Sequence, residues 1–65
     1  MNKLVDIITL RKDNEVVKVA IHEESYKVQY FKANDMINSK WYGKRDAWVI
    51  DGMIEALFHE GFSHR

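Results

Sequence analysis

At 65 residues the chain has room for one hydrophobic core, and a folded chain of that size buries only about 60% of the surface it could expose. Ten Lys plus Arg balance ten Asp plus Glu and cysteine is absent, which excludes a disulfide scaffold, a thiolate metal cluster and a protein built around a long-range pull on polyanions. Proline is missing, only three glycines occur and 46% of the residues are apolar, so the expectation is one ordered compact domain over residues 1–65, with neither a signal peptide nor a membrane span, working in the cytoplasm.

From Leu4 to Lys32 the apolar residues recur at a spacing of two, interrupted at Asp13-Asn14 and Glu23-Glu24. That pattern predicts three short antiparallel strands joined by tight hairpins. Two-residue turns at those places set Leu10 opposite Val17, Ile8 opposite Val19 and Asp6 opposite Ile21. They then set Ile21 opposite Tyr26, Val19 opposite Val28 and Val17 opposite Tyr30. One face collects nearly every large apolar residue, and a slip of one residue would turn all of them outward, so the two independently placed turns support the same register. Neither turn holds the glycine that a two-residue loop favours, which leaves room for a bulge, most of all at Glu23-Glu24.

After Lys32 the period changes. Asn34 or Asp35 reads as the cap of a short helical turn through Met36, Ile37 and Trp41, ended by Gly43. A longer helix is predicted from Lys44 to Glu60, with Gly61 as its stop and Phe62 folding back to close the end. At about 100° per residue, Ala47, Ile50, Ile54 and Leu57 form a stripe flanked by Met53 and Phe58, and this is the face expected to press onto the sheet. Lys40, Trp41 and Tyr42 sit in the connection, where they are expected to cap the core, the alternative being a ligand groove formed with Trp48. The predicted fold is α+β: a three-stranded antiparallel β-meander, a short helical turn and one C-terminal amphipathic α-helix packed on one sheet face, in the order βββα.

The same register defines the opposite sheet face. It carries Val5, Ile7, Thr9 and Arg11 on the first strand, Val16, Lys18, Ala20 and His22 on the second, and Lys27, Gln29 and Phe31 on the third. Every formal charge there is positive, while the acidic residues fall in the turns and along the helix, at Asp46, Asp51, Glu55 and Glu60. A basic sheet face with an aromatic ring can hold phosphate and stack a base; the ordinary alternative is that Lys and Arg simply solvate an open sheet. On the helix, Trp48 lies opposite the core stripe, with Val49 beside it and Gly52, Ala56 and His59 near it, small residues that let a partner backbone approach the indole.

Catalytic chemistry is thinly represented. His59 and His64 are five residues apart with Gly61 between them, whereas a zinc-protease helix needs histidines four apart on one face, so no metal site and no cofactor are expected. Asp6 is the one carboxylate that the register aims toward the core face, where burial would raise its pKa unless it reaches solvent or a lysine. No nucleophile elbow, phosphate-cradling glycine loop or Cys/His constellation occurs, so an enzyme is not expected.

The order strand, strand, strand, helix, with Arg11, Lys18, Lys27 and Phe31 on the strands, resembles in outline the small sheet-reading DNA-binding domains, such as the arm-binding domains of phage-type integrases and the plant AP2 domains. The resemblance is one of architecture; those families also place Trp on their strands, and here no Trp falls on the three predicted ones. The leading expectation is a small non-enzymatic protein-interaction module, a regulator or inhibitor of the kind that phages and mobile elements encode, forming a homodimer and binding a protein partner through Trp48, Val49, Gly52, Ala56, His59, Phe31 and Ile7. The second expectation is a nucleic-acid-binding domain using Arg11, Lys18, Lys27 and Phe31.

Overall fold

A computed structural model describes residues 1–64. The two hairpins form as the period-two pattern requires: β1 (Leu4–Lys12), β2 (Glu15–His22) and β3 (Ser25–Lys32) make an antiparallel meander. Leu10 faces Val17, Ile8 faces Val19 and Asp6 faces Ile21, and in the next pair Ile21 faces Tyr26, Val19 faces Val28 and Val17 faces Tyr30. At the first turn Asp13 takes a positive φ of 53°, a conformation that Asp tolerates better than most residues. The second turn is held by the N-terminal segment: the Lys3 N–H donates to Glu23 Oε1 at 3.0 Å, and the Glu24 N–H donates to Asn2 Oδ1 at 3.0 Å. The β2–β3 ladder runs without a bulge.

The segment after Lys32 is not a helical turn. It is a fourth strand, β4 (Asp35–Gly43), paired antiparallel with β3 through Ser25 opposite Gly43, Lys27 opposite Trp41 and Phe31 opposite Met36. The connecting residues Ala33 and Asn34 both have positive φ, 51° and 70°, the geometry of the hairpin turn whose twist matches that of the strands. Asn34 therefore makes the turn, and Asp35 opens the strand. An L-alanine at positive φ is strained by about 1–2 kcal/mol. Ala33→Gly is expected to raise stability by about 1 kcal/mol, roughly 4–8 °C in thermal midpoint for a domain this small, read by a thermal melt.

Beyond a 3₁₀ turn at Lys44–Asp46, α1 (Ala47–His59) crosses the inner face of the sheet. The α-helix thus starts three residues later than its period suggests. Its end follows the expectation: the Gly61 N–H donates to Phe58 O and the Phe62 N–H to Leu57 O, with Gly61 at φ 103°. This pair of bonds is the Schellman arrangement, in which the left-handed position favours glycine and the next apolar residue packs back. Phe62 is accordingly buried. Ser63 and His64 form a short strand β5 against Arg11 and Leu10 of β1, though both remain exposed. The sheet is five-stranded, in the order β4-β3-β2-β1-β5.

The core is Leu10, Val17, Val19, Val28, Ile50, Leu57 and Phe62, with Ile8, Tyr26, Tyr30, Tyr42, Met53 and Ile54 packed around it. Tyr42 closes the core as expected. Phe58 does not; it is 48% exposed, on the flank of the helix about 80° around from Ile50 at roughly 100° per residue. The inner face of β4 carries Asn38 and Lys40, both exposed, and only Tyr42 of that strand reaches the core.

Two bulges mark the strands at the open edges. In β1 the register shifts between Leu4 and Asp6, and in the β3–β4 pair it shifts between Tyr30 and Phe31, leaving Ile37 the extra residue. An Asx residue follows each. Asp6 Oδ1 accepts the Ile7 N–H at 2.8 Å, and Asn38 Oδ1 accepts the Ser39 N–H at 2.9 Å. Asp6 therefore stays exposed and serves its own backbone. Bulges and locally satisfied N–H groups blunt a strand edge against pairing with a second chain.

Candidate nucleic-acid interface

Because side chains alternate along each strand, the residues that do not face α1 line up in rows across the outer face. One row is Ile7, Ala20, Lys27 and Trp41; the next is Thr9, Lys18, Gln29 and Ser39; the third is Arg11, Val16, Phe31 and Met36. The fourth strand thus moves Trp41 from an expected core cap to the outer face, where it is 52% exposed. A tryptophan does fall on a strand, and the three-strand reading missed it.

Arg11, Lys18, Lys27 and Phe31 share this face, as the register predicted, and no carboxylate joins them in the three rows. Lys18 Nζ lies 5.4 Å from the Phe31 ring centroid, and Lys27 Nζ lies 5.2 Å from that of Trp41. Each ring therefore carries an ammonium on its negative π-surface, worth about 0.5–1 kcal/mol at an exposed site. Trp41 is also braced by His22, whose ring is tilted 50° to it at a centroid distance of 5.1 Å. That contact crosses β3 at Ser25, a side chain short enough to lean over. His22 Nδ1 is buried with no hydrogen-bond partner among the described residues. Gln29 Nε2 donates to Met36 Sδ at 3.5 Å.

The apolar residues of this face form two groups. Leu4, Ile7 and Trp41 are at one end, and Val16, Phe31 and Met36 are at the other. The row of Thr9, Lys18, Gln29 and Ser39 runs between them. A dry protein contact would have to desolvate that polar row at its centre, at a cost for every hydrogen bond left unmade.

The residues expected to meet a protein partner do not form one surface. Trp48 (73% exposed), Gly52, Ala56 and His59 are exposed on α1, whereas Ile7 and Phe31 lie on the outer sheet face, on the far side of the molecule. Val49 is half-buried. A side chain added at Gly52 would meet nothing within 4 Å, so the helix surface beside the indole is open.

Between the C-terminal end of α1 and the start of β4 lies a shallow cleft of about 200 Å³, lined by Tyr30, Ile37, Leu57 and Phe62 with Glu15 and Glu60 at its rim. Pockets for small-molecule ligands are generally larger, about 300–1,000 Å³. Within it, burial pushes the Tyr30 phenol above its usual range, helped by the neighbouring Tyr42 and the Glu60 carboxylate, and its O–H donates to Met53 Sδ at 3.2 Å. Among the described residues no group of three His, Cys, Asp or Glu side chains is placed to hold a metal ion, and no helix is long and apolar enough to cross a membrane. Comparison with protein-family models, curated proteins and solved structures returns no match, so the functional reading rests on the residues themselves.

Proposed function

We propose that this protein is a small non-enzymatic nucleic-acid-binding domain that uses the outer face of its sheet. The observation that carries the reading is a face on which the formal charges, among the described residues, are Arg11, Lys18 and Lys27, set beside two accessible rings, Phe31 and Trp41, each already paired with a lysine. Lys and Arg hold phosphate regardless of sequence, and an aromatic side chain offers any base a stacking partner. The chain has no net charge, yet the outer rows hold three cations and no carboxylate, while Asp51 and Glu55 are exposed on α1, away from that face. Such a division orients a neutral molecule toward a polyanion at close range.

Titration with short DNA and RNA at two salt concentrations tests the reading. With three phosphate contacts and a slope of about −0.7 per contact, affinity is expected to fall roughly 20-fold between 50 and 200 mM salt. Absence of binding at 50 mM salt overturns it.

The helix supports a second reading, a protein contact centred on Trp48. Its indole is 73% exposed beside the open backbone at Gly52, and tryptophan is among the residues that dominate interface energetics. Trp48→Ala is expected to abolish capture of a protein partner in a pull-down from the native host while leaving the thermal midpoint within a few degrees of wild type. Capture that survives this substitution removes the reading.

A further inference from the structure

The spacing of the two rings on the outer face selects one form of nucleic acid over another. Trp41 stands opposite Lys27, and Phe31 is four residues further along β3. At strand rise the two rings are therefore separated by about 14 Å along the sheet. A ring stacks only on a base whose face is open. In a duplex each base face is covered by its neighbour at about 3.4 Å, whereas unpaired bases can be splayed onto separate rings.

We infer that the outer face takes a single strand, resting on the nucleic-acid reading above: one base stacks on Trp41, a second and non-adjacent base stacks on Phe31, and Gln29 and Ser39 lie beneath the nucleotide between them. Lys27 and Lys18 occupy the π-surfaces of those rings in the free protein. An arriving base displaces the ammonium from the ring, and the lysine stem carries it outward to a phosphate. The ring exchanges a weak cation contact for a stacked base, while the cation exchanges a ring for a full negative charge, so both partners are already held beside their targets. The polar central row fits the same arrangement. Gln29 and Ser39 present donors and acceptors where a base edge or sugar would lie, and no apolar side chain of that row is left exposed to water in the free state.

The experiment uses the full chain and fluorescein-labelled oligonucleotides: an eight-nucleotide oligothymidylate, its oligouridylate counterpart, a dinucleotide and a blunt 12-base-pair DNA duplex, all at 50 mM salt by fluorescence anisotropy. Trp41 and Trp48 are the only tryptophans, so the Trp48→Phe protein makes Trp41 the sole indole reporter. The expected results are single-strand binding at least 10-fold tighter than duplex binding, quenching of Trp41 fluorescence, and a marked loss of affinity for the dinucleotide, which is too short to reach both rings. Trp41→Leu and Phe31→Leu keep the apolar bulk and remove the ring, and each is expected to weaken octanucleotide binding about 5- to 100-fold. Circular dichroism of each variant verifies that the sheet persists.

Equal affinity for duplex and single strand, with no effect of Trp41→Leu, overturns the single-strand inference while leaving a charge-based nucleic-acid function standing. Absence of binding to every oligonucleotide overturns both.

Discussion

Neutralising Lys18 and Lys27 together, as Lys18→Gln/Lys27→Gln, is expected to weaken binding of a short single strand roughly 60-fold at 50 mM salt. The figure follows from counterion release. A phosphate contact with a single strand contributes a slope of about −0.7 in log affinity against log salt, so relative to 1 M salt each contact is worth about 8-fold at 50 mM. Removing both cations leaves Arg11 as the remaining formal charge of the outer rows. The slope should accordingly fall from about −2 to about −0.7. Measuring anisotropy titrations across a salt series separates this outcome from simple misfolding, because an unfolded protein loses affinity without a residual, shallower slope. Both lysines lie on the outer face, away from the core, so the fold should survive. An unchanged slope in the double variant would show that the phosphate contacts lie elsewhere.

Leu10→Ala carries the largest expected effect on stability. Leu10 has no exposed surface and sits against Val17 where β1 meets the core. Truncating such a leucine costs about 2–5 kcal/mol, the lost transfer energy plus the cavity left behind. A domain of this length is stabilised by roughly 3–10 kcal/mol in total. The variant should therefore lose at least about 10 °C in thermal midpoint, and at the upper end of the range it should be largely unfolded at 37 °C. Val5→Ala in the same strand is the matching control. Val5 is 65% exposed, and its truncation should change stability by less than about 0.5 kcal/mol. Urea denaturation of the two variants side by side reads the difference, and equal losses would contradict the placement of the core.

These two experiments address different layers of the same arrangement. The inner face of the sheet, with Leu10, Val19 and Val28 fully covered, fixes the strands rigidly. Rigidity there holds Lys18, Lys27, Phe31 and Trp41 at fixed register positions on the other side. A binding surface built on strands needs little ordering when ligand arrives, which reduces the entropic cost of association.

Much of this was legible in the linear chain. Asp13-Asn14 and Glu23-Glu24 each set the pairing independently, and the alternation of Ile8, Leu10, Val17, Val19, Val28 and Tyr30 admits one register that buries them together. Arg11, Lys18, Lys27 and Phe31 were assigned to a common face for the same reason. Trp48 could be placed outward and Ile50 and Leu57 inward from helical spacing alone. Gly61 and Phe62 announced the helix end, since a left-handed glycine followed by an apolar residue satisfies the last carbonyls and covers the core.

The fourth strand could not be found in this way. A strand shows its period in sequence only when one of its faces is buried, and α1 leaves the inner face of β4 largely open, so Asn38 and Lys40 are as acceptable there as any apolar residue. The bulge at Ile37 then breaks the alternation, and the turn at Ala33-Asn34 lacks the glycine that would have marked it. Asn34 and Asp35 carry the same short polar side chains that cap helices, which made a helical turn the competing solution. Local physics thus determined the meander, its core and four members of the proposed interface. Tertiary pairing alone decided that Trp41 joins them, because backbone hydrogen bonding to β3 is indifferent to the side chains of the strand that receives it.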